Sequence, residues 1–290
     1  MSAFPPTRHS VRIGDARAVL PSLPGGSVQL VVTSPPYWSI KDYDHKDQIG
    51  SSESYESYLD SLAAVWRECH RVLEPGCKLV INVGDQFVRG TRDADYHVKP
   101  IQADTIAACR ALGFACLGSI IWRKMTTTRT TGGCVWMGSI YYPRDGYVTY
   151  EHEYIMLFRK SGKARPPAPA LKQLSKLTKH QRSLWFRGMW DLAPARQNGH
   201  CAMFPYELPE RLIRMFTFAG DTVLDPFAGS GTTLEAACDF GRNSIGIELN
   251  PRFLPLILDR LGVPAATAGS DIVDPSGNSV RITTEPPESG

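Results

Sequence analysis

The stretch Val223-Leu224-Asp225-Pro226-Phe227-Ala228-Gly229-Ser230-Gly231-Thr232-Thr233 reads as a buried strand running into a Gly-x-Gly turn that opens a helix. Backbone without side chains can approach a ligand closely there, beside a helix N-terminus. Leu234 stands where the dinucleotide fingerprint needs its third glycine, and no Lys follows the glycines as in a P-loop. Glu248 closes the next predicted strand, 17 residues after Gly231. A carboxylate at that place can accept from two ribose hydroxyls. The turn therefore reads as a nucleoside site that does not rely on a pyrophosphate.

Outward from this turn, strand and helix patterns alternate. Val28–Thr33 (VQLVVT) is a continuous apolar run closed by a Pro pair, as in a strand buried on both faces. Ser54–Leu73 sets Tyr58, Leu62, Val65, Trp66, Cys69, Val72 and Leu73 at helical spacing, and Glu74-Pro75-Gly76 stops it. Lys78–Val83, Phe114–Trp122 and Tyr150–Phe158 read as strands, Pro100–Leu112 and Pro205–Phe218 as helices. Thr222–Asp225, Leu234–Phe240, Ser244–Ile247 and Pro251–Leu261 finish the series as strand, helix, strand, helix. The alternation predicts an α/β fold with a doubly wound, mostly parallel sheet. Residues 1–122 and 200–262 form its two halves, with a core strand in 147–160. A loop over 123–146 and a longer insertion over 161–199 interrupt it, and a Pro-, Ser-, Thr- and Gly-rich flexible tail covers 263–290.

No run of the 290 residues approaches the 18 or so apolar residues of a membrane span, and the N-terminus has no apolar signal core. The seven cysteines form no Cys-x-x-Cys pair, so neither a structural metal nor a disulfide framework is expected. These features read as a soluble cytoplasmic chain. The net charge of +3 conceals a strong asymmetry. From Tyr154 to Trp190 there are 37 residues without Asp or Glu but with nine Lys or Arg, while the rest holds 23 basic against 29 acidic residues. Trp185, Phe186 and Trp190 interleave with those charges, a composition suited to phosphates and nucleobases. A solvated basic face is the plainer alternative.

The second informative segment is Ser34-Pro35-Pro36-Tyr37, at the carboxyl end of the Val28–Thr33 strand. Ligands of open α/β sheets bind at such ends. Two prolines fix φ, so the Ser34 hydroxyl, the backbone carbonyls and the Tyr37 ring point in set directions.

Together the two segments resemble the amino-methyltransferases of DNA, which methylate the exocyclic nitrogen of cytosine or adenine with S-adenosylmethionine. Ser34–Tyr37 is similar to their catalytic motif and Asp225–Thr233 to their cofactor motif, in the order of the permuted β group. Val11-Arg12-Ile13-Gly14-Asp15, Arg71–Gly76, Ile121–Lys124, Glu151–Tyr154, and Trp190-Asp191 leading to Phe204-Pro205 extend the likeness over roughly residues 10 to 260. The resemblance implies a circularly permuted methyltransferase fold, with a seven-stranded type of sheet and a small target-recognition region at 161–199. It implies duplex DNA as substrate and a restriction endonuclease as a possible cognate partner.

It also implies roles for single residues. Ser34 Oγ and the Pro35 carbonyl would accept the two amino hydrogens, with Pro36 shaping the turn, and Tyr37 would stack on the extruded base. Asp15 would lie near the cofactor's adenine amino group, and Glu248 would hold its ribose. Phe227, Gly229 and Gly231 would line the methionine and sulfonium region, with Asp225, Ser230 and Thr232 in the same motif. Lys172, Lys176 and Lys179, at the spacing of one helical face, and Arg182 would touch phosphates. Trp185 and Arg187 would influence sequence choice, and Arg123–Arg129 is the second candidate for DNA contact. His152 and Glu153, adjacent on a strand, point to opposite faces and read as structural. Ser34 in the first motif position resembles N4-cytosine enzymes, whereas many N6-adenine enzymes carry Asp. An N6-adenine enzyme, an RNA methyltransferase and a non-enzymatic binding module are the alternatives.

Overall fold

The computed structural model describes residues 4–38, 45–88, 97–124, 151–194, 204–264, 269, 271–273 and 277–284. Most of the 123–146 loop lies outside the described residues. The strands are β1 (Arg8–Ile13), β2 (Val28–Thr33), β3 (Leu73–Val83), β4 (Gln86–Val88), β5 (His97–Lys99), β6 (Ala115–Lys124), β7 (His152–Arg159), β8 (Met189–Leu192), β9 (Thr222–Asp225), β10 (Asn243–Glu248), β11 (Asp271–Val273) and β12 (Ser279–Thr284). The α-helices are α1 (Ala16–Val19), α2 (Tyr55–Val72), α3 (Ile101–Ala111), α4 (Pro169–Leu174), α5 (Lys179–Trp185), α6 (Glu207–Phe216), α7 (Thr232–Asp239) and α8 (Leu254–Arg260).

Ten strands form one sheet in the order β11-β12-β1-β10-β9-β2-β3-β7-β6-β8, and β4 and β5 pair separately. The run from β12 to β3 is parallel throughout; β7 is antiparallel to both its neighbours. Successive residues of β2 face opposite layers, as the period of a strand requires. Val31 packs with α2 through Tyr58, Leu62, Val65 and Trp66. Leu30 and Val32 pack with α6 and α7 through Leu208, Leu212, Ala236 and Ala237. The sheet is thus doubly wound.

α2 forms because its buried residues recur at helical spacing and Ser54 accepts the Ser57 amide at 3.1 Å. Arg71 near its end donates to the Leu20 and Leu23 carbonyls, fixing α2 against the entry loop. Glu74-Pro75-Gly76 ends the helix as expected, yet the backbone continues there as the start of β3.

One expectation is overturned. The 263–290 stretch is no mere flexible tail, since it supplies β11 and β12 to the sheet. β12 pairs with β1 over six positions, from Arg8↔Ser279 to Ile13↔Thr284. Val280 and Ile282 are buried with Val11, Ile13, Leu234 and Ile257. Only two short apolar pairs sit among polar residues there, too weak a pattern to read alone. Among the described residues, no helix is long and apolar enough to cross a membrane.

Candidate active site

β9 lies between β10 and β2. The chain leaves β9 for its neighbour β10 on one side, and leaves β2 for β3 on the other. That arrangement is a topological switch point, where the carboxyl ends of the strands diverge and leave a crevice. A cavity open to solvent occupies it. Its walls are the residues just beyond β1 (Gly14–Ala16), β2 (Ser34, Pro36), β9 (Pro226–Ser230) and the end of β10 (Glu248–Asn250).

The Gly-rich turn is shaped as its sequence requires. Gly229 has φ +53, and a Cβ added there would meet nothing within 4 Å, so it opens onto free space. Gly231 has φ +85, and a Cβ would come within 3.1 Å of Ile257 Cα in α8. Gly231 does not line the cavity; its lack of a side chain lets two helices approach. Gly229 donates its amide to Glu248 Oε2 at 2.7 Å, and the Asn250 amide reaches Oε1 at 2.9 Å. Burial pushes the Glu248 carboxyl up to about 7, although these two bonds oppose the shift.

Of the residues singled out in the sequence, Asp15, Ser34, Pro36, Phe227, Gly229, Ser230, Thr232 and Glu248 border this one cavity. Pro35 is buried beside it, with Tyr37 half-buried against the α2 core. The Pro36 carbonyl is fixed by the Tyr58 hydroxyl at 2.9 Å. Phe227 meets the Trp66 ring edge-on at 6.2 Å. Asp225 is 1% exposed and lies behind the cavity wall rather than on it. Asp15 borders the cavity, but its carboxylate caps α1 and accepts from the Arg17 amide and guanidinium at 2.6–3.1 Å. Arg17 thus fixes the orientation of this carboxylate at the cavity wall. His45, Asp47, Gln48, Ile49 and Phe253 also line the cavity. No motif marks them, because only tertiary contact brings them to the cavity; Phe204, a sixth, belongs to the Phe204-Pro205 pair of the family likeness, which assigned it no site role.

The basic segment is corrected in two respects. Lys172 lies in α4 and Lys179 opens α5, while Thr178 and Gln181 form a capping box between them. The three lysines therefore do not share a helical face. Trp185 is 7% exposed beneath Arg214, its ring 4.8 Å from the guanidinium, and so offers no face to a base. Trp190 is likewise buried against Arg211. Lys172, Lys176, Lys179, Arg182, Arg187 and Phe186 remain exposed.

Their position is informative. β7 ends with Arg159 opposite Lys78, toward the amino end of β3, and the chain enters the basic segment from there. Arg165 ion-pairs with Glu74, and Ser175 Oγ accepts the Ala219 amide at 2.8 Å just before β9. Lys172 and Lys176 thus lie at the amino ends of the parallel strands, across the sheet from Ser34. Six residues at 3.3 Å each put roughly 20 Å between the two edges. Arg123, by contrast, pairs with Asp191 at the edge that carries Ser34. Glu153 is buried, accepting from Asn82 Nδ2 at 2.7 Å and from Lys124, while His152 packs edge-on against Tyr154.

Comparison with known proteins agrees with this geometry. The sequence profile of the N6/N4 DNA methylases matches residues 28–259. The chain is 35% identical over 297 positions to the Type II methyltransferase M.MjaI of Methanocaldococcus jannaschii, covering 91% of this chain and 95% of that protein. Against the Type II methyltransferase M.MthZI of Methanothermobacter thermautotrophicus, identity is 36%, with 81% and 71% covered. TTHA0409 of Thermus thermophilus, solved in complex with S-adenosyl-L-methionine, superposes with a TM-score of 0.72 at 41% identity over 94% of this chain and 99% of its own. The cytosine-N4-specific PvuII DNA methyltransferase shares the fold, with a TM-score of 0.67 at 22% identity over 90% of this chain and 89% of its own. Matched by that profile over most of its length and 35% identical to a Type II methyltransferase, the chain belongs to the N6/N4 DNA methylase family.

Proposed function

We propose that this protein transfers a methyl group from S-adenosylmethionine to the exocyclic N4 of a cytosine extruded from duplex DNA. The observation that carries the reading is that Ser34 and the Gly229–Glu248 turn open onto one cavity. The open face above Gly229 and the carboxylate at the end of β10 fit a nucleoside-bearing methyl donor. Glu248 takes its ribose hydroxyls, Gly229, Ser230 and Thr232 lie along its amino-acid part, and Phe227 supplies an apolar wall. Asp15, oriented by Arg17, lies at the wall where it would meet the adenine amino group. When bound, the cofactor supplies an electrophilic methyl group.

The chain's own residues make the acceptor competent. The exocyclic amine is a weak nucleophile because its lone pair is conjugated into the ring. Ser34 Oγ and the Pro35 carbonyl accept its two hydrogens, which favours pyramidal nitrogen and stabilises the positive charge that develops there. Tyr37 stacks on the base once it has left the duplex. Ser34, in place of the Asp of many N6-adenine enzymes, supports cytosine. Reading of the flanking bases falls to residues at the Ser34 edge. Lys172 and Lys176, at the far edge, act as a field that concentrates duplex near the surface.

The test is to express the chain in a host without DNA methylation and to digest the DNA to nucleosides for mass spectrometry. N4-methylcytosine is the expected product. N6-methyladenine would overturn the cytosine assignment, and unmodified DNA with methylated tRNA would overturn the DNA reading.

A further inference from the structure

Asp225 sits behind the cavity wall, yet three separate parts of the site converge on its carboxylate. Oδ1 accepts from Thr33 Oγ1 at 2.7 Å and from the Phe227 amide at 3.0 Å. Oδ2 accepts from Thr233 Oγ1 at 2.7 Å. Thr33 is the last residue of β2 and immediately precedes Ser34. Phe227 begins the Gly-rich turn, and Thr233 lies in the first turn of α7. A single buried carboxylate thus ties the acceptor-side strand end to the donor-side turn and helix.

Such a group is costly to bury, because ionised oxygens leave water for a shielded site. Burial pushes the carboxyl up to about 6 even with three donors opposing that shift. A well-packed apolar side chain would hold β2 and β9 together without that penalty. What an apolar contact would not provide is direction. Three charge-assisted bonds on two oxygens set both the distance and the angle between the parts they join.

We propose that Asp225 is a positioning residue for methyl transfer, holding Ser34 and the Gly-rich turn in one register through Thr33, Phe227 and Thr233. It does not touch the cofactor. The proposal deepens the methyl-transfer reading above and rests on it. Its consequence is a separation of rate from affinity. Displacing the acceptor group by about 1 Å from the line of attack costs on the order of 10²-fold in rate. Cofactor affinity depends on Gly229 and Glu248, which bond each other independently of Thr33.

Asp225→Asn is the direct variant, but leaving buried hydroxyls without an acceptor endangers folding. Thr33→Val, which keeps the shape and removes one bond, and Thr33→Ser, which keeps the hydroxyl, carry the test. Single-turnover transfer of labelled methyl to unmethylated genomic DNA would be measured with the full chain, alongside calorimetric binding of S-adenosylmethionine. Thr33→Val is expected to lower the rate about 10- to 100-fold, with a cofactor Kd within about threefold of the parent. Thr33→Ser is expected to restore the rate to within about threefold. An unchanged rate in Thr33→Val, or a fall in affinity matching the fall in rate, would overturn the positioning role. A parent chain that binds cofactor but methylates no DNA would instead overturn the methyl-transfer reading, and this inference with it.

Discussion

At the scale of the residue, the proposed methyl transfer divides the work of the cavity between Ser34 and Glu248, and each makes a separate prediction. Ser34→Ala removes one acceptor aimed at the target amine. It should lower kcat on the order of 10²-fold while calorimetry finds cofactor Kd nearly unchanged. Equal losses in both would move Ser34 from catalysis to binding. Glu248 makes a pH prediction, because burial pushes its carboxyl up to about 7. Ribose hydroxyls donate to the ionised form, so cofactor affinity should rise as pH rises through that value, with a proton released on binding near neutral pH. Glu248→Gln should abolish both the slope and the release. Calorimetry in buffers of different ionisation enthalpy measures the proton directly. Stability runs the other way, since the native chain holds this proton more tightly than the unfolded chain does. That contribution is complete below the ordinary carboxylate value of 4.5 and is lost as pH rises through about 7.

At the scale of the element, the Gly231 turn and the basic segment show how neighbours decide what a pattern means. Gly231→Ala would strain a left-handed residue and push a methyl group onto Ile257 of α8. A loss of about 1–3 kcal/mol in urea unfolding is expected. An unchanged midpoint would mean that α8 yields freely. For the basic segment, replacing Lys172, Lys176, Lys179 and Arg182 with Ala should slow duplex association at low salt and leave dissociation unchanged. Stopped-flow anisotropy separates the two rates. Faster dissociation would assign these side chains to direct phosphate contact, with DNA reaching the far edge of the sheet.

At the scale of the whole molecule, the sheet extends beyond the segment that carries the chemistry. β12 pairs with β1, whose carboxyl end forms one wall of the cavity. Ile282 is fully buried there. Ile282→Ala should cost about 2–5 kcal/mol in chemical unfolding, although no sequence motif includes it. A loss below about 0.5 kcal/mol, the range of ordinary surface positions, would show that β12 contributes nothing to the core. The cavity itself is a property of the sheet as a whole. Its four strand ends come from residues 13, 33, 225 and 248, brought together because parallel strands align their carboxyl ends at one edge.

The residues themselves determined which segments come to border the cavity and that strands alternate with helices. Local patterns suffice for that: an apolar run ending in Pro-Pro, glycines opening a helix, and apolar residues three and four apart in α2. Ser34, Gly229 and Glu248 could be placed at strand ends, where the cavity lies, because the patterns around them are read within a few residues. Tertiary structure alone decided the rest. Asp225 looked like a cofactor ligand until Thr33, 192 positions away, proved to be its partner. Trp185 looked like a residue that influences sequence choice until α6 covered it with Arg214. The tail looked mobile until β1 offered an open edge to Val280 and Ile282, since a strand gains its hydrogen bonds and burial only from a neighbour that the chain must first bring beside it.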